Sequence, residues 1–185
     1  QRRAIPRPAP GREVAGGFTD LGYQGVARHV LHADVTSLYP SVMLAYGCFP
    51  RTDELGVFPA LLADLKDFRV GAKRLAREAP TAEARAHAEA LQATFKILIN
   101  SFYGYLGFSR GHFNDFEQAN RVTATGRALI QQITQWLEAR GCRILEIDTD
   151  GLYFVPPEDA RGPEAEERLM AELSATLPAG IHLEL

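Results

Sequence analysis

Apolar positions along the chain fall into two periods. From Ala27 to Asp34 they alternate, with Val30, His32 and Asp34 on one face and Leu31 and Ala33 on the other; period two predicts a strand. A short helix is expected from Leu38 to about Tyr46, with Pro40 in its first turn, where a missing N–H removes no bond. Residues 47–56 read as loop. Two long segments of helical period follow: 57–79, with Leu61, Leu62, Leu65, Phe68 and Ala72, and 82–104, with Ala88, Leu91, Phe95, Leu98 and Phe102. Pro80 and Thr81 mark a tight turn between them, with Thr81 as N-cap, so the simplest arrangement is an antiparallel helical hairpin. A Gly-rich stretch, YGYLGFSRGH, leads to a third long helix from about Phe116 to Ala139, stopped by Gly141. CRILEIDTDGLYFVP reads as strand, acidic turn and strand; a helix over 163–177 and a terminal strand, IHLEL, complete the order. The expected class is α+β, a sheet covered by helices on one face, after an irregular Pro/Gly-rich lead-in over residues 1–26.

The chain is long enough to bury a core without disulfides. Its net charge of -3 argues against coating nucleic acid by bulk electrostatics, while leaving room for a local basic groove. Cys48 and Cys142 form no CxxC pair, which predicts a reducing compartment and no structural zinc. The uncharged stretches are too short and too polar to span a membrane, and the opening residues lack a signal-peptide pattern. The bias of 17 Arg against 3 Lys, with abundant Ala, suggests a GC-rich bacterial source and a cytoplasmic location. Because the chain opens in loop and closes on a strand, it is read as a piece of a longer protein.

Candidate chemistry concentrates on acids at strand ends. Side chains two apart on a strand point the same way, so Asp148 and Asp150 are expected to face together, on the same side as Ile144 and Glu146. A lone DxD is most simply a solvated turn. Asp34, a third acid at a strand end, changes that: were its strand adjacent, three hard oxygen ligands would converge, suited to Mg²⁺ shared with substrate phosphates. Positive charge has a matching pattern. Arg69 and Lys73 lie four apart on one helical face; Lys96, Asn100 and Tyr103 follow i, i+4, i+7 on the next helix. Lys96 stands among Phe95, Ile97, Leu98 and Ile99, so its charge calls for an anion or an aqueous edge. Read alone, Arg69 and Lys73 fit a solvated face equally well.

In order along the chain, DVTSLYPSV resembles the DxxSLYPS motif, KILINSFYG the KxxxNSxYG motif, and DTDG the DTDS motif of family B DNA polymerases. RVGAK at 69–73 and VTATGR at 122–127 resemble that family's first fingers helix and its TxxGR helix. The resemblance runs from about Gly16 to Leu185. It implies a polymerase palm in two parts, 27–56 and 105–185, with an inserted fingers hairpin over 57–104. It implies two Mg²⁺ ions, with Mn²⁺ a possible substitute, held by Asp34, Asp150 and the Val35 carbonyl, Asp148 being secondary. One ion would lower the pKa of a primer 3′-hydroxyl and the other would neutralise the leaving pyrophosphate. Arg69, Lys73 and Lys96 would hold the triphosphate, with Lys96 its proton donor, and the Ser37 and Leu38 amides would bind its oxygens. Tyr39 would exclude a ribose 2′-hydroxyl; Asn100 and Tyr103 would shape the base-pair pocket. The implied partners are primer–template DNA, dNTP, and the exonuclease, N-terminal and thumb domains of a parent chain.

The chain departs from the family pattern in carrying Glu146 and Ile147 where Tyr-Gly usually precede DTD, and Gly151 where Ser follows it. Glu146 is either a surrogate metal ligand or a solvent-facing residue beside a weakened primer contact. The alternatives to a catalytic core are a degenerate polymerase-like domain that binds nucleotide or DNA, or scaffolds partners, and another palm-type nucleotidyl transferase. The last would not account for KILINSFYG.

Overall fold

A computed structural model describes residues 7–185; the first six residues of the lead-in lie outside the described part. The elements are β1 (Asp20–Leu21), β2 (Leu31–Val35), α1 (Leu38–Tyr46), α2 (Val57–Glu78), α3 (Ala82–Leu106), α4 (Phe116–Glu138), β3 (Arg143–Ile147), β4 (Gly151–Val155), α5 (Pro163–Ala175) and β5 (Leu183–Glu184), with a single 3-10 turn at Glu158–Ala160. The mixed helical and antiparallel class expected from the sequence is present. The chain forms two compact units, which divide between Val14 and Ala15, between Ala45 and Tyr46 and between Val122 and Thr123.

One unit, 15–45 with 123–185, contains the whole sheet, ordered β1-β3-β4-β2-β5 with every pair antiparallel. One sheet face is buried: Ile147, Leu152 and Ala33 form one cross-strand row, and Phe154 lies between Ile144 and Leu31 in the next. α4 adds Leu129, Ile130, Ile133 and Leu137, and α5 adds Leu169, Met170 and Leu173, each at helical spacing, to the core of this unit. The other face carries the row Leu21, Glu146, Tyr153 and His32, all exposed. β2 is shorter than the alternation suggested, because His29 takes a left-handed φ of 56° and ends the extended run there. β1 was not foreseen; it pairs Asp20 with Ile147 and Leu21 with Glu146, so part of the lead-in is sheet.

In the other unit α2 and α3 form the hairpin. Phe68 stacks on Phe95 at 5.9 Å and Phe58 meets Phe102 edge-on at 5.4 Å; a pairing in which one number rises as the other falls is antiparallel. Thr81 Oγ1 accepts from the Ala84 N–H at 3.2 Å, as its N-cap position requires. Asp53 takes the corresponding task for α2, accepting from the Val57 and Phe58 amides. The segments 46–56 and 105–122, which the sequence placed outside the hairpin, share its unit. Phe58 of α2 meets Tyr105 and Phe113, each at 5.8 Å, and the two segments are tied to each other by Arg51, which forms a two-pronged pair with Asp115 at 2.9 and 3.2 Å and reaches Glu117 at 2.8 Å. Asn114 bonds both the N–H and the carbonyl of Ala9, which fastens the described start of the chain to the same unit.

Candidate metal and nucleotide site

The sheet topology makes Asp34 and the acidic turn neighbours. Asp34 pairs with Gly151, and the Val35 N–H donates to the Asp150 carbonyl at 2.7 Å. Asp34 is half-buried, whereas Asp148 and Asp150 are exposed. The strand rule that put Asp148 and Asp150 on one face does not apply to them, because β3 ends at Ile147 and residues 148–150 are turn, closed by the Asp148 N–H on the Gly151 carbonyl at 2.8 Å. Within that turn Asp148 Oδ1 accepts from the Thr149 N–H at 2.6 Å, so this carboxylate braces its own loop. Among the described residues no three His, Cys, Asp or Glu side chains form a group that could hold a metal ion. What the pairing brings together is backbone: the Asp150 carbonyl meets the residue that follows Asp34.

Gly151 is central to it. A Cβ on this buried residue would stand 2.8 Å from the Ala33 carbonyl oxygen, 3.0 Å from His32 Nε2 and 3.2 Å from Asp34 Oδ1. The Asp34 carboxylate therefore leans over β4, into space that any other residue at 151 would fill. A half-buried carboxylate at a strand end, next to an exposed acidic turn, offers the hard oxygen ligands that suit Mg²⁺, which keeps waters or substrate phosphates in its remaining positions. By that measure the residues present fit a divalent ion. Glu146 shares the exposed face, but its partners across the sheet are Tyr153 and Leu21, and Asp34 lies two strands away, about 10 Å at ordinary strand spacing. Next along, Tyr153 stacks on His32 at 4.2 Å.

The SLYPS segment is held in an unusual backbone. Ser37 has φ 49°, a left-handed value that strains a residue other than glycine. It is kept there by the Thr36 N–H on the His182 carbonyl, the Ser41 N–H on the Ser37 carbonyl, and Ser41 Oγ on the Thr36 carbonyl, each at 2.9 Å. The Leu38 and Ser37 amides thus stand at the start of α1, just past β2. Tyr39 is half-buried; a Cβ on Gly126 would lie 3.3 Å from its Cε1 and 3.3 Å from Leu38 Cδ2. The glycine inside α4, unexplained by the sequence, is there for this close approach.

The cationic candidates belong to the hairpin unit. Arg69 and Lys73 are half-buried on α2; on α3, Lys96 and Asn100 are exposed and Tyr103 is half-buried. Lys66, which the sequence reading set apart from these faces, stands three residues before Arg69 and seven before Lys73 and extends the same helical face to three cations. Burial lowers the Lys66 pKa, Asp67 opposes that, and the Arg69 charge adds to it. Its spacing was the available signal.

Residues 49–156 match the model of DNA polymerase family B. DNA polymerase 1 of Pyrococcus abyssi is 30% identical over 193 residues, covering 91% of this chain and 25% of the relative. A DNA polymerase of Pyrococcus glycovorans is 31% identical over 196 residues, covering 92% and 25%. The chain thus spans about a quarter of the length of these curated relatives. In fold, it is similar to the family B DNA polymerase of the hyperthermophilic archaeon Pyrobaculum calidifontis, with a TM-score of 0.69 at 22% identity over 97% of this chain and 26% of that one. With more than half of its residues matched by the family model and its three motifs in order on this fold, the chain belongs to DNA polymerase family B.

Proposed function

We infer that this chain is the palm and fingers of a DNA-directed DNA polymerase, which joins dNMP to a primer 3′-hydroxyl on a template. The observation that carries the reading is the pairing of β2 with β4, which sets Asp34 beside the Asp150 turn over a glycine that leaves its carboxylate room. Asp34, Asp150 and the Val35 carbonyl would hold two divalent ions, Mg²⁺ or Mn²⁺, with Asp148 secondary. Such ions, when bound, acidify the attacking hydroxyl and neutralise the departing charge.

The chain's own residues do the remaining work. Arg69, Lys73 and Lys96 bind the triphosphate and offset its charge; the Ser37 and Leu38 amides donate to its oxygens. The primer hydroxyl releases its proton to water, a bond forms between its oxygen and the α-phosphorus as the α-phosphorus–pyrophosphate bond breaks, and Lys96 gives the leaving pyrophosphate a proton. Tyr39 lies beneath the sugar and rejects a 2′-hydroxyl by clash. Asn100 and Tyr103 line the base-pair pocket. Duplex grip falls to exonuclease, N-terminal and thumb domains of the parent chain, so the isolated piece extends primers weakly or not at all.

Calorimetric titration of dNTP with and without Mg²⁺ tests this. Binding that requires Mg²⁺ and disappears in Asp150→Ala is expected. Binding that is indifferent to both, together with absence of extension by the parent, would instead indicate a degenerate nucleotide-binding domain.

A further inference from the structure

The lead-in enters the sheet next to the acidic turn. Asp20 pairs with Ile147, the last residue of β3 before that turn. Gly17 lies against that turn. A Cβ on Gly17 would stand 2.5 Å from Thr149 Cγ2, 2.6 Å from its Oγ1 and 2.9 Å from its Cβ. Side-chain rotation cannot relieve this, because Thr149 is β-branched and its Cβ is itself one of the three atoms. Any side chain at residue 17 must therefore push Thr149 bodily, and Thr149 is the residue between Asp148 and Asp150.

The turn has little freedom to absorb such a push. On its far side the Asp150 carbonyl accepts from the Val35 N–H at 2.7 Å, and Asp148 Oδ1 accepts from the Thr149 N–H at 2.6 Å. The lead-in is fastened too: Arg127 Nη1 donates to the Gly16 carbonyl at 2.6 Å. A segment pinned by Arg127 thus closes over a turn pinned by β2, with a contact that only glycine permits.

We propose that Gly17 is a positioning residue for the metal carboxylates: the lead-in, tethered by Arg127, clamps Thr149 and so fixes Asp150 relative to Asp34. This rests on the polymerase reading above. Gly17 acts through Thr149, the neighbour its missing side chain accommodates. Residues that orient metal ligands in this way alter metal affinity or activity by about 10–100-fold when changed.

The test is a double-mutant cycle in the full-length polymerase that contains this chain: Gly17→Ala, Thr149→Gly and both together. Two readouts are needed: Mn²⁺ binding, from loss of the free-ion electron paramagnetic resonance signal, and half-saturating Mg²⁺ in primer extension. Neither midpoint depends on the folded fraction of a preparation. Gly17→Ala should weaken Mn²⁺ binding and raise half-saturating Mg²⁺ about tenfold, with primer–template affinity unchanged. In the Thr149→Gly background the same change should have an effect under threefold, roughly the scatter of additive sites. Arg127→Met, which releases the tether without a clash, should shift both midpoints in the same direction. Equal shifts from Gly17→Ala in both backgrounds, or a shift confined to primer–template affinity, would overturn the clamp. A parent enzyme without Asp150-dependent Mn²⁺ binding or extension would overturn the polymerase reading itself, and is distinguished by the unmutated protein.

Discussion

Gly151→Ser places in this chain the residue that the family motif usually carries after DTD, and it should impair rather than improve the site. The new Cβ would stand 2.8 Å from the Ala33 carbonyl oxygen and 3.2 Å from Asp34 Oδ1. A carbon–oxygen contact needs roughly 3.4 Å, near the optimum for non-bonded heavy atoms, so β2 and β4 must part by about 0.6 Å. The carbonyl belongs to the backbone, and the Val35 N–H to Asp150 carbonyl bond is next to it, so the strands cannot yield independently. Overpacking of this kind costs about 1–3 kcal/mol; replacing a strand glycine recovers about 0.5–1 kcal/mol. A net loss of about 0–2.5 kcal/mol follows from these two terms. Catalysis should suffer more than stability, because a shift on the order of 1 Å in reacting groups lowers rates by about a hundredfold. Urea denaturation would measure the first effect, and single-turnover incorporation in the parent polymerase, with its Mg²⁺ dependence, the second. An incorporation rate within twofold of the unmutated enzyme, at the same Mg²⁺ midpoint, would refute the assignment of Gly151 as the space for Asp34.

Three further outcomes follow from the packing. Asp115 is 7% exposed; burial raises its pKa, but the Arg51 hydrogen bond, the Gln118 and Arg51 amides and the Arg51 charge outweigh that and leave it below the usual range. With the folded pKa depressed, its stabilisation is full above the unfolded value and is lost as pH falls through the folded one, so Asp115→Asn should destabilise at pH 7 by about 1–3 kcal/mol and make less difference in acid denaturation below about pH 4. Thr81→Ala removes the α3 cap and should cost about 1 kcal/mol in urea denaturation, with Thr81→Ser nearly neutral. Burial, partly opposed by the Arg140 charge, pushes the Cys142 thiol up to about 11, so its alkylation by iodoacetamide at pH 8 should be about two hundredfold slower than that of a free thiol near pKa 8.5.

The helices were legible because their signals are local. Thr81 capped where it was expected to, and the apolar spacing of α2 to α5 needed no knowledge of the rest of the chain. The sheet was legible only in part. β1 is two residues whose partners lie more than a hundred positions away, and Asp-Leu carries no strand signal of its own. The acidic turn was recognised, but alternation was extended one step too far: a turn at 148–150 has no pleat, so Asp148 turns to its own loop while Asp150 stays beside β2. The glycines were hardest. Gly17, Gly126 and Gly151 are each explained by a neighbour distant in sequence, Thr149, Tyr39 and Ala33 respectively, and a missing side chain announces nothing until that neighbour is placed. Lys66, by contrast, lay in plain view at helical spacing from Arg69 and Lys73.

The central claim is that Asp34 and Asp150 together hold the reacting centre. Single-turnover dNMP incorporation by the full-length polymerase, measured for Asp34→Asn and Asp150→Asn beside the unmutated enzyme, tests it most directly. The account predicts that each substitution lowers the rate by at least about a thousandfold, several kcal/mol of transition-state stabilisation, with primer–template affinity preserved. Incorporation within tenfold of the unmutated rate in either variant would contradict it.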